Sequence, residues 1–122
     1  MIKAAFVGFG EVNSPKELIT YKCLTALEEV RSLGLETMTT DIVTDDPKGV
    51  DVERALEDLK KEDFDFLIIC LAGWIPSHAV ISITQAFKDK PMILWGLAGD
   101  KANGRIVTAA AQAGTKIGRA HV

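Results

Sequence analysis

The sequence predicts an α/β domain with a parallel sheet covered by helices on both faces. Two observations carry that expectation. Short apolar runs alternate with amphipathic helical segments four times over. The third of those runs, Phe64 to Ala72 (FDFLIICLA), is almost unbroken in its apolarity, as a parallel strand covered on both sides must be.

Taken in order, Ile2 to Phe9 (IKAAFVGF) is a short apolar segment closed by glycine and forms the first strand. The segment NSPKELITYKCLTALEEVRSLG follows. Ser14 is placed to cap a helix, Pro15 to occupy its first position and Glu17 to complete a capping box. Ile19, Cys23, Ala26, Leu27 and Val30 then recur at helical spacing, and Gly34 ends the run. Leu35 to Val43 is β-branched and partly polar, which suits an edge strand. After the turn TDDPKG, residues Val52, Ala55, Leu56 and Leu59 mark one face of a second helix that begins at Asp51. The strand Phe64 to Ala72 comes next, and a third helix from Ser77 to about Lys88 turns Ala79, Val80, Ile83 and Phe87 inward. Lys90 to Gly99 is the fourth strand, and the Ala-rich segment Gly104 to Gly114 a fourth helix. A fifth strand is expected next, but TKIGRAHV is too short and polar, so residues 116–122 read as a truncated or added tail.

With 122 residues the chain suits one domain. Its 48% hydrophobic and 25% charged residues are ordinary for a globular protein. The net charge of −3 gives no basic face for nucleic acid. There is neither a basic amphipathic segment nor an apolar run long enough for a membrane. Cys23 and Cys70 are too few for a disulfide framework and read as small core residues. Without a signal-peptide pattern, a reducing cytoplasm is the default location.

In an open parallel sheet, ligands bind beyond the carboxyl ends of the strands where strand order reverses. For the order 2-1-3-4 that crevice falls between the loops after the first and third strands, GFGEVNSP and AGWIPSH. The dinucleotide fingerprint fails there, because Asn13 stands where a third glycine is needed after Gly8 and Gly10. A flavin-phosphate loop, a phosphate-receiver acid cluster and a P-loop are equally missing. His78 and His121 are the only histidines, and no ligand spacing suggests a metal on this chain. Trp74 is open to two readings, as packing over the end of the sheet or as a stacking wall for a sugar or base face. His78 is either a solvated residue of the first helical turn or a hydrogen-bonding group on the same rim. Glu11 and Asn13 are loop residues or contacts to a hydroxylated ligand.

The segment AGWIPSHAVISITQAFKDKPMILWGLAG, with GRIVTAAAQAG after it, resembles the N-terminal domain of L-fucose isomerase-like and L-arabinose isomerase-like proteins. The pattern is a tryptophan-bearing loop after the third strand, a helix, and a Lys-Pro pair opening the next strand. Here these are Trp74, Ser77 to Lys88, and Lys90-Pro91. The resemblance covers residues 1–115 and implies a flavodoxin-like sandwich belonging to a sugar ketol isomerase. It further implies a divalent metal, usually manganese, held by two carboxylates and a histidine in later domains absent from this chain. A homo-oligomer is implied in which this domain completes a neighbour's sugar pocket. The pocket role passes to Trp74 and, beside it, to Ile75 and His78; Asn13, next to Glu11, is the counterpart of a first-loop residue that approaches substrate. This chain alone is expected to be inactive. The competing reading is a non-catalytic sugar-binding or small-molecule module, or an assembly domain.

Overall fold

The computed structural model describes residues 2–97, and the backbone of 101–102 and 105–106. Its elements run β1 (Lys3–Phe9), α1 (Lys16–Ser32), β2 (Glu36–Thr39), α2 (Val50–Lys60), β3 (Phe66–Leu71), α3 (Ser77–Ala86) and β4 (Met92–Gly96). The four strands form one sheet ordered β2-β1-β3-β4, with every pairing parallel. This is the α/β, flavodoxin-like arrangement the sequence predicts.

Side-chain alternation along the strands divides the core into two layers. Ala5, Val7 and Phe9 of β1 and Leu67, Ile69 and Leu71 of β3 pack against Ala55 and Leu59 of α2 and Ala79, Val80 and Ile83 of α3. The intervening residues Ala4, Phe6, Ile68 and Cys70 meet Ala26, Leu27 and Val30 of α1 on the other face. Burial on both faces is why β1 and β3 carry no polar side chain between Ala4 and Phe9 or between Phe66 and Leu71. Each large aliphatic buried this way contributes roughly 1.5–3 kcal/mol.

Lys90 and Pro91, half of the pattern behind the family resemblance, have a structural task. Lys90 Nζ donates to the Phe64 carbonyl at 2.6 Å and to Asp63 at 3.1 Å, and stands 4.7 Å from the centre of the Phe64 ring. Pro91 offers its carbonyl to the Leu67 N–H at 2.9 Å. The pair therefore sets where β4 begins relative to β3.

The structure departs from the sequence expectations at four places. The α1 N-cap is Pro15 and not Ser14, with no side-chain cap; the Ser14 N–H turns back to the Glu11 carbonyl at 3.0 Å. β4 is shorter than Lys90 to Gly99, since Pro91 has no N–H to give to a ladder. Arg105–Ile106 is a strand, β6, and not the start of a helix. It pairs antiparallel with β5 (Lys101–Ala102), forming a two-stranded ladder separate from the main sheet. The sequence between them, Asn103-Gly104, is a dipeptide that two-residue hairpins favour. Residues 107–122, with the rest of the expected helix and the tail, lie outside the described residues.

The fourth departure concerns the strand expected over Leu35 to Val43, and it shapes the site. β2 stops at Thr39, whose Oγ1 donates to the Phe6 carbonyl at 3.0 Å. The chain swings away over Thr40, Asp41 and Ile42 and returns at Val43, which bridges Phe9. There the Val43 N–H meets the Gly8 carbonyl at 2.8 Å, and the Gly10 N–H meets the Val43 carbonyl at 3.2 Å. β2 is thus one strand interrupted by an outward excursion of three residues.

Candidate functional site

A cleft of ≈ 640 Å³ opens at the carboxyl ends of β1 and β2, between α1 and the segment joining β2 to α2. Its walls include Gly8, Gly10, Glu11, Lys16, Thr20 and Cys23 on one side and Thr39 to Ile42, Asp46, Asp51 and Arg54 on the other. The sequence places the crevice on the opposite side of β1, between the loops after β1 and β3. Ile19 explains the difference. A Cβ added at Gly10 or at Gly73 would lie 2.7 Å from an atom of the Ile19 side chain, which is 6% exposed. The isoleucine of the first α1 turn fills the point where strand order reverses, and open space is left beside β2 instead.

The excursion after β2 is held by a polar network. Leaving the ladder strips the Asp41 and Ile42 carbonyls of strand partners, and such groups need replacements. Arg54 Nη2 donates to both, at 3.1 and 3.0 Å. Arg54 Nη1 donates to Asp51 Oδ1 at 2.8 Å, while Asp51 Oδ2 accepts from the Thr44 N–H at 3.1 Å and the Thr44 hydroxyl at 2.6 Å. The Arg54 Nε is buried without a partner among the described residues. Asp46 caps α2, accepting from the Val50 and Asp51 N–H groups at 2.8 and 3.0 Å. Asp45 accepts from the Val12 N–H at 2.8 Å and so ties the loop after β1 to the loop after β2.

The N–H groups of Asp51 and Val50 hold the Asp46 carboxyl below its ordinary value of 3.8, because they bond more strongly to the charged form. A lowered folded value means that the cap stabilises fully above the ordinary carboxylate range and is lost as pH falls through the folded value. Asp46→Ala is therefore expected to melt at a lower temperature than the parent at pH 7. The two melting curves should converge under acid conditions where Asp46 is protonated, and an equal gap at both pH values would refute the cap.

The four residues singled out from sequence do not gather in one place. Glu11 is half-buried and lines the cleft. Asn13 is exposed in the same loop but is not part of the lining. Trp74 and His78 belong to the segment after β3, Trp74 being 40% exposed and His78 exposed in the first turn of α3. Among the described residues no hydrogen bond joins any of these four side chains. Ile75, next to Trp74, is fully buried beneath the sheet's end, so the indole stands on an anchored stem.

Sequence reasoning did not single out Asp46, Asp51 and Arg54, which appear in the sequence as solvated charges beside a turn. The available signal was Asp45-Asp46 three residues ahead of a glycine-led helix, a spacing suited to capping. With Asp46, Asp51 and Arg54 engaged in the network, Glu11, Asp41 and Lys16 carry the cleft charges without side-chain partners among the described residues. Two carboxylates and one ammonium suit a ligand that bears both donors and acceptors. They disfavour an anion such as a nucleotide phosphate. No group of three or more His, Cys, Asp or Glu among the described residues is arranged to hold a metal ion. No described helix is long and apolar enough to cross a membrane.

The fold and the cleft together define a flavodoxin-like α/β domain with a ligand-sized recess beside its first strand. The chain matches no family model, and no curated protein or solved structure shows significant similarity to it.

Proposed function

We propose that this domain supplies part of the sugar-contacting wall of an aldose–ketose isomerase, working within a homo-oligomer. The observation that carries the reading is Trp74, an indole 40% exposed at the carboxyl end of β3 beside the fully buried Ile75. A half-exposed indole on a fixed stem suits the C–H face of a sugar ring, whose hydroxyls then seek polar groups on the rim. His78 belongs to the same segment after β3, and Asn13 and Glu11 to the loop after β1. A divalent metal, manganese in the proteins this sequence resembles, would polarise the sugar's oxygens. The described residues offer no ligand set for it, so no step through a metal is assigned to this chain.

The test is aldose–ketose interconversion by the protein that carries this domain, with and without Trp74→Ala. Loss of the stacking surface is worth about 1–1.5 kcal/mol, so kcat/KM should fall roughly tenfold. Circular dichroism should remain unchanged, because Trp74 contributes little to the core. Unaltered kinetics in the variant would remove the tryptophan from the site, and no isomerisation by the parent would remove the reaction.

The cleft favours a second reading, a small-molecule binding module. Its walls carry Glu11, Lys16 and Asp41, polar groups that suit a hydroxylated ligand. Binding of a neutral polyhydroxylated ligand that persists in Trp74→Ala and disappears on filling the cleft with Thr20→Phe would favour that module.

A further inference from the structure

The two cysteines, distant in sequence, share one spot under α1. In the β1–β3 register Gly8 lies opposite Cys70, and paired residues of neighbouring strands face the same side of a sheet. Cys23 descends on that pair from α1. A Cβ added at Gly8 would lie 2.5 Å from Cys23 Sγ and 3.3 Å from Cys23 Cβ, so the cysteine occupies the space that Gly8's missing side chain vacates. Any larger residue at Gly8 would hold the helix farther from Cys70.

Their surroundings are unequal. Cys70 is fully buried, whereas Cys23 is 5% exposed and forms part of the cleft wall. The neighbouring Cys23 thiol, followed by burial, pushes the Cys70 thiol up. The Cys70 thiol lowers Cys23 against the opposing effect of burial. One sulfur therefore borders the cleft with a route to solvent, and the other is a shielded neighbour. Oxidation-sensitive pairs need both features.

We propose that Cys23 and Cys70 form a reversible intramolecular disulfide on exposure to hydrogen peroxide, which reaches Cys23 through the cleft. The Cys23 thiolate attacks one peroxide oxygen; the S–O bond forms as the O–O bond breaks, leaving a sulfenic acid and hydroxide. Hydroxide takes the Cys70 proton, giving water, and the Cys70 sulfur displaces hydroxide from the sulfenic sulfur. That second hydroxide recovers the proton lost when the thiolate formed. The sum is two thiols and one peroxide to one disulfide and two waters. The bond fastens α1, one wall of the cleft, to β3. It requires the Cα atoms to lie within the usual disulfide span of about 4.4–6.8 Å, and the close seating of α1 over Gly8 favours that approach.

The experiment treats the full chain with stoichiometric hydrogen peroxide and maps its peptides by mass spectrometry without reduction. The expected product is a Cys23–Cys70 linked peptide, lighter by two hydrogens, that dithiothreitol returns to free thiols, with a higher melting temperature for the oxidised chain. In Cys70→Ser, a sulfenic acid on Cys23 should persist and be trapped by dimedone. In Cys23→Ser, Cys70 should stay unmodified in the folded chain. Three results would each overturn the proposal: sulfinic or sulfonic acid on Cys23 beside a free Cys70; a disulfide only between two chains; or no reaction at peroxide levels that oxidise the urea-unfolded chain.

Discussion

Replacing Ile19 with alanine is expected to lower the free energy of unfolding by about 2–4 kcal/mol and to open a crevice between the loops after β1 and β3. Ile19 is the side chain against which Gly10 and Gly73 approach, each leaving room for it by lacking a Cβ. It packs with Cys23 and Ala72 in a small cluster at the carboxyl end of the sheet. Alanine removes the atoms that fill the space but not the backbone that frames it, and a framed void relaxes poorly. Urea denaturation measures the loss, and Ile19→Val provides the internal scale, with an expected cost of about 0.5–1.5 kcal/mol. A loss below about 1 kcal/mol for alanine would show that the loops collapse onto each other and that Ile19 is no plug. The variant also bears on function. It would place an opening next to Trp74 where the parent has packed side chain, so any change in sugar affinity would report on that side of β1.

Arg54→Met is the second large effect, roughly 2–3 kcal/mol. Methionine keeps much of the apolar stem but removes the donors that the Asp41 and Ile42 carbonyls receive. It also leaves Asp51, which is 22% exposed, without its ion partner at 2.8 Å. Breaking a half-buried pair costs more than the pair itself contributes, because a charge stays behind with its solvation only partly restored. Arg54→Lys separates the two parts of the loss. A lysine keeps the charge beside Asp51 but lacks the planar fork that reaches two carbonyls at once, so it should recover only a fraction of the stability. Full recovery by lysine would mean that charge alone holds the excursion. Hydrogen exchange at residues 40–44 should quicken in the methionine variant ahead of the rest of the sheet.

The core was legible in the sequence because burial on two faces leaves a one-dimensional trace. Phe66 to Leu71 had to be apolar throughout to lie between α1 and the α2–α3 layer, and the period of Ile19, Cys23, Ala26, Leu27 and Val30 had to follow one side of a helix. The strand order 2-1-3-4, assumed for an open parallel sheet of this kind, is the order observed. The site left a weaker trace. Thr39, Thr40, Ile42 and Val43 have the β-branched character of a continuous strand, and nothing in their composition marks the place where the ladder is abandoned. The cause lies in Arg54, more than ten positions away, whose charge is indistinguishable in sequence from a solvated helix residue. Ile19 was recognised as a buried helix position, but its choice of side at the switch point depends on two glycines that meet only in three dimensions. At Arg105–Ile106 the chain is a strand where the Ala-rich composition suggests a helix.

The interruption of β2 has a bearing on how the domain behaves in company. Among the described residues β2 is an outer strand of the sheet, and an outer strand presents donors and acceptors on which a foreign chain can template itself. Because the backbone leaves the plane after Thr39, the regular outer row is only Glu36–Thr39. The next carbonyls are already committed inward to Arg54. Four residues make a poor foothold for a second strand. The same detour that hollows out a recess for a small molecule thus discourages strand-to-strand aggregation along that border.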